Sequence, residues 1–427
     1  MSLAHHIRES IPARQNDQPV WLRVNKLLDA RQKRIIENAH LVYDESKILH
    51  IGITPPSEEI LRGATMVDLS DVAAIPPLFD AHTHISLCGS ELDVDRRAFA
   101  QKRTPEEILA EAEIRARALL ARGVIGMRDG GDKDGTGLNL SEKSRTSAET
   151  CGLPRILSPG PGIHRKGRYG SFFCQPLEDH LSIPDCVAHR VQAGADHIKI
   201  VPTGIINFAK GAVTAAPQFS VEEVQEHVTA SAAHARLVMA HASGTEGIRN
   251  AIDGGANTIE HGYFVTRDQL STMRDRNIAW VPTFAPVHMQ IVHAGIMGWD
   301  ATVLDHLRRI LDAHAESLRH ALQIGVRILV GSDAGSYAVP HASGLVEEML
   351  LMEAAGMPAL DVLCEVAFGN ASTLAPALPL RLLESGYPAT FLLVSAASLH
   401  TLRFFQNPLV IFGGRPLIAE NASNNLF

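Results

Sequence analysis

A chain of 427 residues has room for one α/β domain of roughly 250 to 350 residues plus a smaller partner. With 45% apolar and 20% charged residues its composition is that of an ordinary globular protein, and no apolar run reaches the roughly 18 residues that span a bilayer. A formal net charge of −8 argues against non-specific attachment to nucleic acid or to an anionic membrane, since both need clustered Lys and Arg.

The opening stretch lacks the apolar segment of roughly 7–15 residues found in secretory leaders. The five cysteines (Cys88, Cys151, Cys174, Cys186 and Cys364) are odd in number and show no CxxC spacing. Both features lead to the expectation of a cytoplasmic protein with reduced, mostly buried thiols. Residues 19–72 then carry short strand-like runs (VWLRVNKLLDA, NAHLVYD, ILHIGI) separated by turns, with no long helix.

From about residue 106 to residue 335 a unit recurs: amphipathic helix, glycine, short apolar strand. Gly123, Gly194, Gly255 and Gly325 each precede such a strand, and glycine just past a helix end takes the left-handed conformation cheaply. Helix starts are marked by capping boxes at Thr104-Pro105-Glu106-Glu107 and Ser220-Val221-Glu222-Glu223. Eight strands fit the pattern, at 73–82, 124–129, 155–160, 197–202, 237–242, 258–262, 278–284 and 327–333. Most are continuous apolar runs, as in a parallel sheet covered on both faces. Strands alternating with helices imply βαβ units.

Eight such units predict an α/β fold, a (β/α)8 TIM-like barrel over residues 73–377. Residues 388–418 return to the style of the first flank, with ATFLLVS and NPLVIFGGRPLI. Residues 1–72 and 378–427 are therefore expected to form one small β-sandwich from both termini. An open doubly wound sheet is the alternative, but it offers one switch-point crevice rather than ligands on five strands.

Six potential ligands sit at predicted strand ends, the rim where barrel enzymes collect their catalytic residues. His82 and His84 flank Thr83, so period-2 alternation points both rings to one side. Alone, the pair is as well explained by two surface or packing histidines. His241 and His261 each end a short apolar run and fall one strand–helix unit apart. Asp333 follows ILVGS; it suits an N-cap, or a metal ligand that also shuttles a proton. Lys199 lies inside the apolar strand HIKIVP, where a cation needs neutralising or pairing. A buried lysine loses its proton readily, and a neutral amine can take up carbon dioxide to become a carbamate that bridges two divalent ions. The alternative is a lysine snorkelling to the rim or paired with Asp196.

The set DAHTH, a strand-borne lysine, MAH, EHG and GSDAG resembles the amidohydrolase superfamily, in particular its two-metal members with a carboxylated lysine. HIKIVPTG, AHASG, TIEHG and GSDAG are similar to the subgroup of imidazolonepropionase-like enzymes and prolidase-like peptidases that cleave Xaa-amino-acid dipeptides. The resemblance covers roughly residues 20 to 420. It implies that His82, His84 and Asp333 hold the more buried ion, that His241 and His261 hold the more exposed one, and that carboxylated Lys199 bridges both. Zinc is the expected metal, and carbon dioxide or bicarbonate supplies the carboxyl group. A hydroxide between ions about 3.5–4 Å apart would attack, Asp333 would move the proton, and the exposed ion would polarise the scissile carbonyl.

The expected function is therefore hydrolysis of an amide or peptide C–N bond, with a dipeptide or N-acyl amino acid as first substrate. The alternatives are single-metal deamination or cyclic-amide hydrolysis on a heterocycle, and a non-catalytic assembly protein. The latter would be expected to have lost ligands. Candidate substrate contacts are His164, Arg168 and Tyr169 in the loop PGPGIHRKGRYG, with Arg165 and Lys166 beside them, and His341 after the last strand. Asp129 reads as structural. Partners are expected to be a small molecule, with no nucleic acid and no membrane; a homo-oligomer is left open. Thr203-Gly204-Ile205, Ala389-Thr390-Phe391 and Pro161 depart from the family pattern; they remove no ligand but make substrate preference unsafe to transfer.

Overall fold

The structure, a computed structural model, describes residue 11 and residues 18–100, 102–146, 152–378, 382–405 and 408–417. Cys151 and the end of the second flank lie outside the described residues. The first flank supplies β1 (Val20–Asp29), β2 (Arg34–Tyr43), β3 (Ile48–Gly52) and β4 (Thr65–Ile75). β1 pairs antiparallel with β2 and parallel with β4. The run 73–82, expected as one strand, is two: β4 ends at Ile75 and β5 (Leu78–Thr83) begins after Pro76 and Pro77. Proline has no N–H for a ladder, so the pair ends one sheet and frees the chain to enter another.

The middle of the chain supplies β6 (Val124–Asp129), β7 (Arg155–Leu157), β8 (Gly162–His164), β9 (Cys174–Pro176), β10 (Ile198–Ile200), β11 (Val238–Ala242), β12 (Thr258–His261) and β13 (Ala279–Val281). They form two parallel sheets, ordered β5-β6-β7 and β13-β12-β11-β10-β8-β9. β8 and β9 are an excursion that eight-fold counting does not foresee. Segment 327–333 runs between the two sheets. Leu329 N–H donates to Trp280 O at 2.8 Å on one side, and Ala81 N–H to Val330 O at 3.1 Å on the other. It was expected as a full strand, but it joins its neighbours by isolated bridges and side-chain clamps. Asp80 accepts from Ser332 N at 3.0 Å and Ser332 Oγ at 2.6 Å, and Asn370 Nδ2 donates to Phe79 O and Val330 O, each at 2.7 Å.

Helices lie between the strands, and the expected capping boxes are present. Thr104 and Ser220 each accept from the backbone at N3 while Glu107 and Glu223 reach back to the cap, opening helices Pro105–Ala121 and Val221–Ala232. Such a cap contributes about 1 kcal/mol.

β14 (Phe391–Ser395), β15 (Leu409–Phe412) and β16 (Arg415–Pro416) return from the second flank and join the first, giving a single hydrogen-bonded sheet of order β16-β15-β14-β4-β1-β2-β3. Period-2 alternation divides its side chains between two cores. Val72, Ala74, Phe391 and Leu393 pack with Leu22 and Leu41 in the smaller core, while Ala73, Ile75, Leu392 and Val394 enter the large core under the parallel strands. This shared sheet anchors β5, and so the loop after it, to the rest of the molecule. Cys88, Cys174, Cys186 and Cys364 are free thiols. Among the described residues no helix is long and apolar enough to cross a membrane.

Candidate active site

The six candidate ligands converge at the C-terminal ends of the parallel strands. Nitrogen or carboxylate atoms of His82, His84 and Asp333 lie within 4.8 Å of one another, all three residues buried. His82 and His84 approach Asp333 Oδ1 through Nε2 at 3.5 and 3.6 Å. His261 stands beside His82 (ring centroids 5.2 Å apart) and His241 beside His261 (4.6 Å). Lys199 pairs in register with Met239 on the adjacent strand, one pleat below His241, and is 1% exposed. The alternative partner, Asp196, is instead held by Ser141, Arg145 and Ser158.

The hydrogen bonds behind the rings fix which nitrogen faces inward. His82 Nδ1 meets the Glu260 carboxylate at 2.7 Å, and His84 Nδ1 meets Gly131 O at 3.3 Å. Thr283 donates its hydroxyl proton to Pro282 O, so its oxygen accepts from His261 Nδ1 at 2.7 Å. With the proton on Nδ1, each ring presents an Nε2 lone pair to the interior. Burial first, then the Lys199 charge, holds His84 and His241 at about 3 and His82 well below the usual value; burial and the neighbouring His241 and His82 rings hold His261 well below it. All four are therefore neutral near pH 7, the ligating form. Burial also lowers Lys199 and pushes Asp333 up to about 7.

Consequently, His82 Nε2, His241 Nε2, Asp333 Oδ1 and Lys199 Nζ are buried without any hydrogen-bond partner. Lone pairs that face one another at this spacing repel unless a cation lies between them, and unpaired buried polar groups are costly. The residues present therefore fit a divalent metal ion.

Two strained backbone positions make this convergence possible. His261 and Asp333 have φ of +66° and +52°, in the left-handed region that costs roughly 1–2 kcal/mol for ordinary residues. The turn at His261 breaks β12's alternation, so Glu260 and His261 both serve the same interior. Close approach also demands Gly130, where a Cβ would lie 2.4 Å from the His84 ring.

Below the rings lies a buried ion pair that reading the sequence missed. Arg128 Nη2 donates to Glu260 Oε1 at 2.8 Å, and the same guanidinium holds Ala81 O and Thr258 Oγ1. Neither residue exceeds 2% exposure. Glu260→Gln should thus destabilise the fold by about 3–5 kcal/mol, because Arg128 keeps its buried charge without a counter-charge. Urea unfolding measures this, and metal titration should show affinity weakened roughly 10–100-fold as His82 loses its orienting carboxylate.

Above the rings is a cavity of about 240 Å³ lined by His84, His241, His261 and Asp333 with an apolar wall that includes Phe172, Phe173 and Val287. A larger open cleft of about 680 Å³ around Arg274, Arg319 and Arg327 lies at the opposite ends of the strands and contains no candidate ligand. Tyr169 lines the cavity, its ring 5.4 Å from that of His241. The other expected substrate contacts do not line it. His164 is buried rather than solvated. Arg168 is exposed and donates to Ala216 O at 2.5 Å outside the cavity, and Arg165 is neutralised by Glu178 and Glu223. His341 backs the site instead, its Nε2 bonded to His84 O at 3.1 Å. Asp129 binds Ile85 N and Gly131 N, a structural role as expected. Unforeseen residues include Arg97 on the cavity wall and Glu348, which accepts from Phe284 N and Ala285 N and so seats the helix bearing Val287.

A parallel α/β scaffold whose strand ends bring together His82, His84 and Asp333 offers a donor set that could hold a metal ion. The chain belongs to the Amidohydrolase family, which it matches over residues 73–416. An uncharacterised protein of Mycobacterium bovis is 27% identical over 291 residues, 68% of this chain and 71% of its own length. Ochratoxinase of Aspergillus niger is 24% identical over 291 residues, 60% of this chain and 58% of the relative. The fold is also similar to that of a Xaa-Pro dipeptidase with methionine bound in its active site. That structure has a TM-score of 0.78 at 23% identity, covering 94% of this chain and all of the other. A prolidase complexed with N-methylphosphonate-L-proline gives 0.75 at 20% identity, covering 94% and 99%.

Proposed function

We propose that this protein hydrolyses the C–N bond of a small amide, a dipeptide or an N-acyl amino acid, with two divalent metal ions. The reading takes residues 73–377 as a (β/α)8 barrel closed through segment 327–333, and residues 1–72 and 378–427 as the two parts of a small β domain. What carries it is the convergence of unpartnered buried acceptors from His82, His241 and Asp333 around an unpartnered lysine amine.

In this reading His82, His84 and Asp333 would hold one ion and His241 and His261 the other, with Lys199, carboxylated by carbon dioxide or bicarbonate, as a further ligand. Bound divalent cations supply Lewis acidity at the scissile carbonyl and lower the pKa of water. Asp333 takes the proton of the attacking water and delivers it to the leaving nitrogen, the general acid–base step. Tyr169 and the apolar wall orient the substrate and exclude bulk water. The names of the relatives, a dipeptidase, a prolidase and an ochratoxinase, support an amide or peptide over a heterocycle.

Metal analysis of purified protein, paired with a screen of dipeptides, N-acyl amino acids and lactams, tests this. Two zinc equivalents per chain are expected, with activity lost on chelation and restored by zinc with bicarbonate. One equivalent with deamination would favour the single-metal alternative, and none would overturn both.

A further inference from the structure

The site so far accounts for the scissile bond but not for what the enzyme recognises at the far side of the cavity. Arg97 is the one lysine or arginine among the described residues that line it. Its short helix, Val94–Ala100, buries none of its residues, so packing does not explain where the guanidinium sits. Nη1 donates to Cys88 O and Nη2 to Gly335 O at 2.6 Å, two main-chain carbonyls on loops that follow β5 and Asp333. These bonds take two of the five N–H donors of a guanidinium. No carboxylate ion-pairs with Arg97 among the described residues, whereas Arg165, Arg128 and Arg115 each have one. A half-buried cation that feels the Asp333 carboxylate only at a distance, makes no ion pair, and is fixed by neutral carbonyls on the wall of a small cavity is a site for an anionic group of the ligand.

We propose that Arg97 determines specificity by binding the free carboxylate of the substrate, while Phe172, Phe173, Ile206 and Val287 take its apolar substituent. The inference rests on the amide-hydrolase reading for the identity of the scissile bond. It replaces the basic loop after β8, where Arg165 is neutralised by Glu178 and Glu223 and Arg168 does not line the cavity. The cavity of about 240 Å³ falls just under the range of roughly 300–1,000 Å³ that holds drug-sized ligands. It therefore suits an amino acid with one large apolar side chain, acylated by a compact group.

The test uses a pair of non-cleavable probes. One is the ketone isostere of acetyl-phenylalanine, with CH2 in place of the amide N–H; the other is the same molecule with a carboxamide replacing its carboxylate. Calorimetry on the protein as purified should show the acid bound about 10–100-fold more tightly than the carboxamide, the range of a charged hydrogen-bonded contact. Arg97→Gln, which keeps a donor for one loop carbonyl, should abolish the preference and leave carboxamide affinity unchanged. Arg97→Lys keeps the charge without the planar fork and should retain a reduced preference. Equal affinities in the parent protein, no binding of either probe, or parallel losses for both probes in Arg97→Gln would overturn the assignment. Should the preference depend on Arg97 while metal-loaded enzyme cleaves no acetyl-phenylalanine or other amide, the hydrolase reading fails and the carboxylate site stands.

Discussion

Lys199→Ala is expected to lower kcat by at least about 10³-fold, roughly 4 kcal/mol of transition-state stabilisation, and to reduce bound metal below two equivalents per chain. The amine is 1% exposed, lies in a strand whose residues are all buried, and has no hydrogen-bond partner. A merely structural lysine in that position would be a liability. Its pKa is lowered by burial, so at neutral pH folding must either desolvate the charge or give up the proton. The folded pKa lies below the unfolded value near 10.4, so the metal-free protein loses stability as pH falls below that unfolded value. Alanine removes this cost. The metal-free variant should therefore melt no lower than the metal-free parent, while the added stability that metal confers on the parent should shrink. A second readout separates bridging from packing: millimolar propionate, a carboxylate small enough for the space vacated, should restore part of the rate. Full turnover with full metal content in Lys199→Ala would end the bridging role.

Much of this arrangement could be read from residue order because strand ends carry a strong signal. An imidazole or carboxylate that closes an apolar run has few bland explanations when four runs do it in phase, and capping boxes at Thr104 and Ser220 marked the helices between them. The break at Pro76-Pro77 was also available, since neither proline can donate to a ladder. Other features depend on contacts that no local pattern carries. β8 and β9 are three residues each and pair only after a nine-residue loop. Glu260 adjoins His261 in sequence, and strict alternation assigns the two to opposite faces; the left-handed backbone at His261 defeats that rule. The basic loop after β8 misled for a related reason. Arg165 meets Glu223, which is 58 positions away, so its charge is cancelled by a residue outside any local window. Arg97 shows the converse, an unremarkable arginine in a short helix with no buried residue that gains meaning only because Gly335 O, 238 positions away, holds it at the cavity.

Asp333→Asn should separate proton transfer from metal holding. The substitution keeps the shape of the side chain and one carbonyl oxygen, and asparagine tolerates the φ of +52° better than most residues, so the loop should keep its course. The Ser336 hydroxyl, which now donates to Oδ2 at 2.8 Å, can rotate to accept from the new amide. His82 and His84 remain with their Nδ1 atoms bonded to Glu260 and Gly131, so two ligands of the same group stay oriented. Metal content is therefore expected to fall little. What the amide cannot do is accept the proton of the attacking water and return it to the leaving nitrogen. That step is worth about 10²–10⁴-fold, and kcat should fall by that factor while the affinity for a non-cleavable ligand stays within about threefold. The decisive comparison is kcat at matched metal occupancy. If Asp333→Asn turned over at the parent's rate, the aspartate would be a ligand alone and the proton would have to travel by another group. If metal and rate vanished together, its role would be to hold the ion, and the acid–base assignment would lose its support.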